Sequence, residues 1–387
     1  MPQPSGGKGN EVWVEVNAGE VTTEMERGQA GGAGTGEGVE HHAAGLAAGR
    51  DALQREFDRI GGVVRAAVGP GGDRPDIAGI APGRSRYRHN EPMPDRITPS
   101  DARRAQLAAE PIHGMIYFTP FRDAAYAQAG IAHPRTGYFA SRSAPLGQVP
   151  AEVVIATFFN FNPALVRRAI PSVWQVTTPE RVLAARLAAA DQSLRAAWAD
   201  DVAGSVVQEA AALARRAAES VTGQLPGRPL FAAHATLPWP DEPHLVLWHA
   251  QTLLREYRGD VHVALLLAEG LDGLGALITH AATRAIPAEA LRTTRAWTEP
   301  EWDAGVARLQ AEGWLAEGPD LTLSESGRAR RQRIEQRTDE LAAGAYDAIG
   351  ADGTAMLTEL ATALSARVMI PELGFPAQLA SRYAKTG

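Results

Sequence analysis

The stretch that most restricts what this chain can fold into is "EPHLVLWHAQTLLREYRGDVHVALLLA", Glu242 to Ala268. It is apolar over most of its length and carries its proline at the start, where a missing N–H is harmless, so it reads as one long helix. Its middle spells "REYRGD" (Arg255–Asp260). Arginine and acid three to five residues apart on a helix usually make solvated ion pairs. Here they sit between "LVLWHAQTLL" and "VHVALLLA", so part of the helix is expected inside the protein, where charges need partners. A network of that kind lines a ligand pocket as readily as it fixes a fold. A turn at "EGLDG" leads into "LGALITHAATRA", completing an expected helical hairpin.

The surrounding sequence is helical too. "SDARRAQLAAEPIHGMIYF" opens with a Ser/Asp cap and an Ala-rich helix. Asn162-Pro163 and Thr178-Pro179 each place a capping side chain before a proline in the first turn. "PERVLAARLAAADQSLRAAWADD" and "AGSVVQEAAALARRAAESV" follow as a helical pair, broken afterwards by "TGQLPGRPL" and "HATLPWPDEP". "AEVVIATFFNF" (Ala151–Phe161) is a buried helix or strand, and periodicity does not choose between them. "HPRTGYFASRSAPLGQVP" (His133–Pro150) reads as a structural loop. Its Arg135 and Arg142 suit carboxylate or phosphate binding, because guanidinium forks match those anions. Asn162 reads as a cap, whereas Asn160 has no cap role and is either a satisfied core amide or a pocket donor.

Residues 1 to about 92 differ. "GQAGGAGTGEGVEHHAAG" and "VGPGGDRPDIAGIAPGRSRYRHNEPMP" lack sustained periodicity and are expected to be a disordered extension, with Met93 as an alternative start. Only Gly45–Val68 has the pattern of an amphipathic helix. The expected division is therefore 1–92 extension, 93–285 His-rich helical domain, 286–375 winged-helix-like domain and 376–387 tail.

At 387 residues, with net charge −7 and no cysteine, the chain excludes several chemistries. Disulfides, thiolate metal sites, Fe–S clusters and a Cys nucleophile all go at once. The acidic balance argues against a basic nucleic-acid footprint. No run reaches the roughly 18–20 apolar residues of a membrane span, and the N-terminus lacks the charged-then-apolar order of a signal peptide, so a cytoplasmic protein without a membrane partner is expected.

Five of the ten histidines (His234, His244, His249, His262 and His280) fall close together in sequence. Metal or haem ligation is an obvious reading, since imidazole is the commonest neutral ligand near pH 7. Helix geometry restrains it. Spacings of 7 and 11 residues put His249, Glu256 and Asp260 on one face but about 10.5 and 16.5 Å apart along the axis, too far to share an ion. No HxxxH or HExxH pair exists, and no metal ligand is assigned. If the chain reverses near Gly270, His280 stands level with Arg258 to His262, and Glu256, Asp260, His262 and His280 converge across the hairpin. The alternative is that the histidines are buried and satisfied by backbone carbonyls. Walker A, Rossmann and GxSxG motifs are lacking.

"RAWTEPEWDAGVARLQAEGWLAEGPDLTLSESGRARR" (Arg295–Arg331) has the outline of a winged helix: a helix opening after Thr298, a short "DLTLS" strand and a helix restarting at "ESGRARR". Reading helices normally present basic or amide side chains from their first turns. Here Glu299, Glu301 and Asp303 occupy that end. They favour the helix dipole but repel phosphates. Trp302 and Trp314 look like packing residues. Basic groups in "RARRQRIEQR", with Arg292 and Arg295, leave backbone contact open.

From about Arg104 to Pro376 the chain resembles a family of mostly uncharacterised actinobacterial helical proteins with a C-terminal helix-turn-helix domain. The words that carry it are "EPIHGMIYF", "GYFASRSAPLGQVPAEVV", "ATFFNFNPALVRRAIP", "GRPLFAAHATLPWPDEPHLVLWHA" and "LTLSESGRARRQRIEQRTDEL". The C-terminal part, "LTLSESGRA" above all, is similar to the winged helix of MarR-type regulators. The resemblance implies a mainly α fold and no catalytic residues. Two functions follow. In one, the helical part binds a small molecule, with or without catalysis, and the winged helix serves packing or homodimerisation. In the other, the chain is a ligand-responsive regulator bound to DNA, a reading the acids disfavour. For catalysis, His249 or His262 would be the base, Asp260 or Glu256 the orienting acid, and Arg142 or Arg258 an anion anchor. Arg135, Asn160 and His280 join them as ligand-binding candidates. Substrate and cofactor stay open.

Overall fold

The computed structural model describes residues 97–284 and 286–375. The expected extension, the alternative start at Met93 and the tail lie outside them. Among the described residues there are fourteen α-helices and no strand, a mainly α fold as expected. α1 (Pro99–Gly114) starts at a Thr98 capping box with Asp101. α2 (Phe121–Gln128), α3 (Pro134–Ser143), α4 (Ala151–Phe158) and α5 (Pro163–Ala169) are short. α6 (Pro179–Trp198) and α7 (Ser205–Ser220) are the Ala-rich pair, and α8 (Pro229–Ala235) interrupts the expected breaks between α7 and α9.

α9 (Pro243–Ala268) is the centre. Every residue from His244 to Arg258 is buried, charged ones included. A helix buried all round must be enclosed by others, and α1, α7, α8 and α13 (Glu325–Ala343) pack against it. α14 (Gly350–Val368), which lies beyond the expected border at 285/286, packs on α1 and α7. One hydrophobic cluster joins α1–α9 to α14; a second joins the end of α9 to α10 (Gly273–Ala281), α11 (Ala288–Thr294), α12 (Glu299–Ala311) and Ile334 of α13.

Three expectations change here. His133–Pro150 is not a loop in its first half but α3. The His133 side chain accepts from Arg135 N–H at 3.2 Å, Pro134 sits in the first turn, and Tyr138, Phe139 and Ala140 give the helix a face to bury. Ala151–Phe158 is helix, so that alternative closes. The expected antiparallel hairpin is a corner: α9 and α10 meet at a bend of 97°. Asp272 caps α10 through Gly275 N–H at 2.7 Å, and α10 then packs on α11 and α12 rather than back along α9. The expected strand "DLTLS" contributes one isolated antiparallel bridge, Leu315 to Leu323. Asn162 and Thr178 cap their helices as read, and Trp302 and Trp314 are buried. Among the described residues no single helix is long and apolar enough to cross a membrane.

Candidate functional site: a cavity between α9, the α4–α5 loop and α10

The site begins with a break in the chain. α4 ends in an apolar run that cannot continue because Pro163 must start α5, and the link between them is tight. Phe159 has φ 58° and ψ −58°, and Asn160 N–H donates to Phe158 C=O at 2.7 Å. This is a γ-turn of the rare, strained hand. The loop docks on the turn between α11 and α12: Asn162 N–H donates to Arg295 C=O at 3.0 Å, and Trp297 Nε1–H to Asn160 C=O at 3.0 Å. Asn162 both caps α5 and donates to Glu301, the capping-box acid of α12, at 3.2 Å. Gly273, the first residue of α10, lies so close to the Phe159 carbonyl that no side chain fits.

Behind this junction lies a cavity of about 60 Å³. At roughly 10–15 Å³ per water, it has room for several waters or a ligand of a few heavy atoms. Arg142, Asn160, Glu256, Asp260, His262 and His280 all line it, joined by Phe158, Phe159, Phe161, Arg295 and Arg331. Six of the nine residues singled out from sequence are thus brought together, from α3, the α4–α5 loop, α9 and α10. Three are not. His249 packs edge-on against Trp239, ring centroids 4.7 Å apart. Arg258 ties α9 to α13 through Asp339 at 2.7 Å and Glu335 at 3.4 Å. Arg135 sits in the first turn of α3, away from the cavity lining.

The charges are arranged in pairs. Arg142 Nη2 donates to Glu256 at 3.1 Å, and Arg255 Nη1 donates to the same carboxylate at 3.2 Å. Burial alone would raise Glu256, but Arg142 and Arg255 outweigh it and hold it near 2. Asp260 is the opposite case. Burial raises it to about 7, with neighbouring Glu256 adding to the rise, against a hydrogen bond from Phe231 N–H at 2.9 Å. A carboxyl poised near neutral can give or take a proton. Burial drives His262 and His280 down to about 3, with Arg331 adding to the depression of both, so both rings are neutral at pH 7. The His280 Nε2 and the Asn160 Oδ1 are buried without a hydrogen-bond partner. Among the described residues no three His, Asp or Glu side chains gather closely enough to hold a metal ion.

Two residues that sequence reading placed outside the site belong to it. Arg295 and Arg331 stood among the basic groups for backbone contact with DNA. Arg295 is buried with its guanidinium over the Phe161 ring, 5.0 Å from the centroid. Arg331 donates to His280 Nδ1 at 3.4 Å and to Glu335 at 3.3 Å. The signal was present: Gly327, Arg331, Ile334 and Thr338 repeat at helical spacing and are all buried. The three phenylalanines of "FFNF" were legible as apolar, though not as cavity walls.

A helix-turn-helix family model matches residues 102–372. The chain belongs to that family. The match runs through the helical body as well as α11 and α12. No curated protein and no solved structure matches the chain.

Proposed function

We propose that this helix-turn-helix family member is a small-molecule-binding protein whose ligand sits in the cavity between the helical body and α10–α13. The observation that carries it is the gathering of six polar candidates, two with unpaired buried atoms, around one space reached from both sides. Buried polar atoms are normally paired, so orphaned atoms at a cavity wall are suited to a ligand's groups. Asp260 near neutrality and a neutral His262 would supply acid–base groups if the site is catalytic, with Glu256 and Arg142 fixing the wall. His249 and Arg135 stand apart from this centre. The winged-helix portion, similar in outline to MarR-type proteins, serves in this reading for packing or homodimerisation, and a cytoplasmic setting fits it. The division read from sequence, a helical part to 285 and a winged-helix-like part from 286, is kept as a proposal only, since α10 and α14 each pack across that border.

The test is a thermal-shift screen of small amides, acids and alcohols against the full chain and against Ala276→Phe, which fills the cavity. Compounds should raise Tm in the natural chain and lose the effect in the variant. If none raises it, the reading fails.

A regulator that binds DNA is the second reading, favoured by the family itself. The outward face of α12 counts against it. Its exposed residues are Glu299, Pro300, Glu301, Asp303, Ala304, Ala307 and Ala311, and Glu317 and Asp320 are exposed in the loop that follows. Arg308 is taken up by Asp272 at 2.8 Å. No other basic side chain lies on α12, so this helix offers no further cation to a base edge or phosphate. Gel shifts with fragments from beside the gene are expected to show no binding at low salt; a sequence-specific, salt-sensitive shift would restore this reading.

A further inference from the structure

Two histidines line the cavity, and α13 fixes both. Arg331 Nη2 lies 3.4 Å from His280 Nδ1. A guanidinium only donates, so Nδ1 must be the acceptor and the proton of this neutral ring must be on Nε2. That Nε2–H is buried with no partner, in a residue 3 % exposed. His262 is held the other way. Its Nδ1 lies 3.1 Å from Thr338 Oγ1, while the same hydroxyl donates to Ile334 C=O at 2.7 Å. A threonine has one proton to give, and the shorter contact, between two oxygens, takes it; His262 Nδ1–H then donates to the hydroxyl and its Nε2 is the acceptor. The structure therefore places a locked donor and a locked acceptor in the wall of one cavity.

We propose that the cavity takes a small uncharged molecule carrying a carbonyl next to an N–H or O–H, such as a primary carboxamide or a hydroxycarbonyl compound. Its carbonyl accepts from His280 Nε2–H, and its N–H or O–H donates to His262 Nε2. Asn160 Oδ1 offers a second acceptor for a remaining N–H. Thr338 and Arg331 are positioning residues, acting through the rings they orient. The surrounding charges favour a neutral guest. Glu256 is engaged by Arg142 and Arg255, Arg255 also by Glu110, and Arg331 by Glu335, so these charges already have partners of the opposite sign. The phenylalanines cover the rest of the ligand. This rests on the ligand-binding reading above and adds to it the hydrogen-bonding class of the ligand.

The experiment uses full-length protein labelled with ¹⁵N-histidine, with the rings assigned through His262→Gln and His280→Gln. Long-range ¹H–¹⁵N spectra at pH 7 report each tautomer. His262 should show Nδ1–H and His280 Nε2–H; a reversed or charged ring at either position overturns the proposal. Acetamide, acetate and acetamidinium are then titrated, three probes of one shape. Acetamide both donates and accepts, acetate only accepts, and acetamidinium only donates. Acetamide should move both ring signals, at several-fold lower concentration than the other two. Acetate or acetamidinium binding as well as acetamide would overturn the donor–acceptor assignment and leave ligand binding standing. If no probe moves either ring, both fall. Thr338→Val should scramble the His262 tautomer and weaken the acetamide response at least several-fold, with Thr338→Ser restoring both. An unchanged His262 tautomer in Thr338→Val would remove Thr338 from the mechanism.

Discussion

Asp260 and Glu256 are four residues apart on one helix, and their surroundings push them in opposite directions. Asp260 is raised to about 7 chiefly by burial. Its folded pKa lies above the unfolded value of about 3.9, so it costs stability as pH rises between those values, up to about 4 kcal/mol. Asp260→Asn removes that penalty while keeping an acceptor for Phe231 N–H. Its stability relative to the natural chain should therefore increase from pH 4 to pH 7 and then level off. Urea melts at matched pH values measure this, and a flat difference would refute it. Glu256 carries the reverse sign, because Arg142 and Arg255 stabilise its charge. Glu256→Ala removes the carboxylate that Arg142 engages and one of the two that Arg255 engages, Glu110 being the other, and should cost about 3–5 kcal/mol. Adding Arg142→Met should cost less than the sum of the two single changes, since part of the damage is the unpaired charge itself. From sequence these residues were legible as a network in need of partners. Which acid would be paired and which left near neutral was not, because Arg142 lies on a helix far away in the chain.

At the scale of elements, α13 does more than its sequence suggested. "RARRQRIEQR" reads as a run of basic groups that leave backbone contact with DNA open, yet one stripe of this helix faces inward and orients two cavity histidines. The start of α13 is fixed by Gly327, where a Cβ would run into the Trp314 carbonyl. That contact is backbone and cannot swing aside, so Gly327→Ala should lose about 1–3 kcal/mol. Thr298→Ala removes one capping bond of α12 and should lose about 1 kcal/mol. Denaturant midpoints of the two variants provide the comparison, and an α12 cap more costly than the Gly327 change would contradict this ranking. The order of helix, stop and second helix from α12 to α13 was visible in the sequence, while the expected strand between them is a single bridge. The angle between α9 and α10 was not, because a turn sequence such as "EGLDG" announces a reversal without stating its size.

For the whole molecule, the decisive feature is how many imidazoles are buried uncharged. His113, His234, His249, His262 and His280 are all depressed by burial, His234 to about 4 and His249, His262 and His280 to about 3. Each folded pKa lies below the unfolded value of about 6.5. Their contribution is therefore fully present above 6.5 and is lost as pH falls towards 3–4. Five groups at up to about 1.4 kcal/mol per pH unit outweigh the single opposing slope of Asp260. Stability should drop steeply between pH 6.5 and 5, and urea midpoints across that range will show it. A midpoint that does not fall would contradict the buried neutral state. The same molecular view bears on nucleic acid. Replacing Glu299 and Asp303 with lysine should strengthen salt-sensitive DNA binding relative to the natural chain, measured by gel shift at low and high salt.

By itself the sequence determined that this is a helical protein, where most helices start, and that charges in the middle of α9 had to be buried with partners. Those are consequences of periodicity, capping chemistry and the cost of isolated charge, all local or nearly so. Only the tertiary structure decided that Arg142, Asn160, Glu256, Asp260, His262 and His280 share one cavity while His249, Arg135 and Arg258 do not. It also decided that Arg295 and Arg331 face inward. Helix spacing fixes which residues share a face, but not which neighbour covers that face. The 97° corner and the inward stripe of α13 arise from packing between segments far apart in the chain.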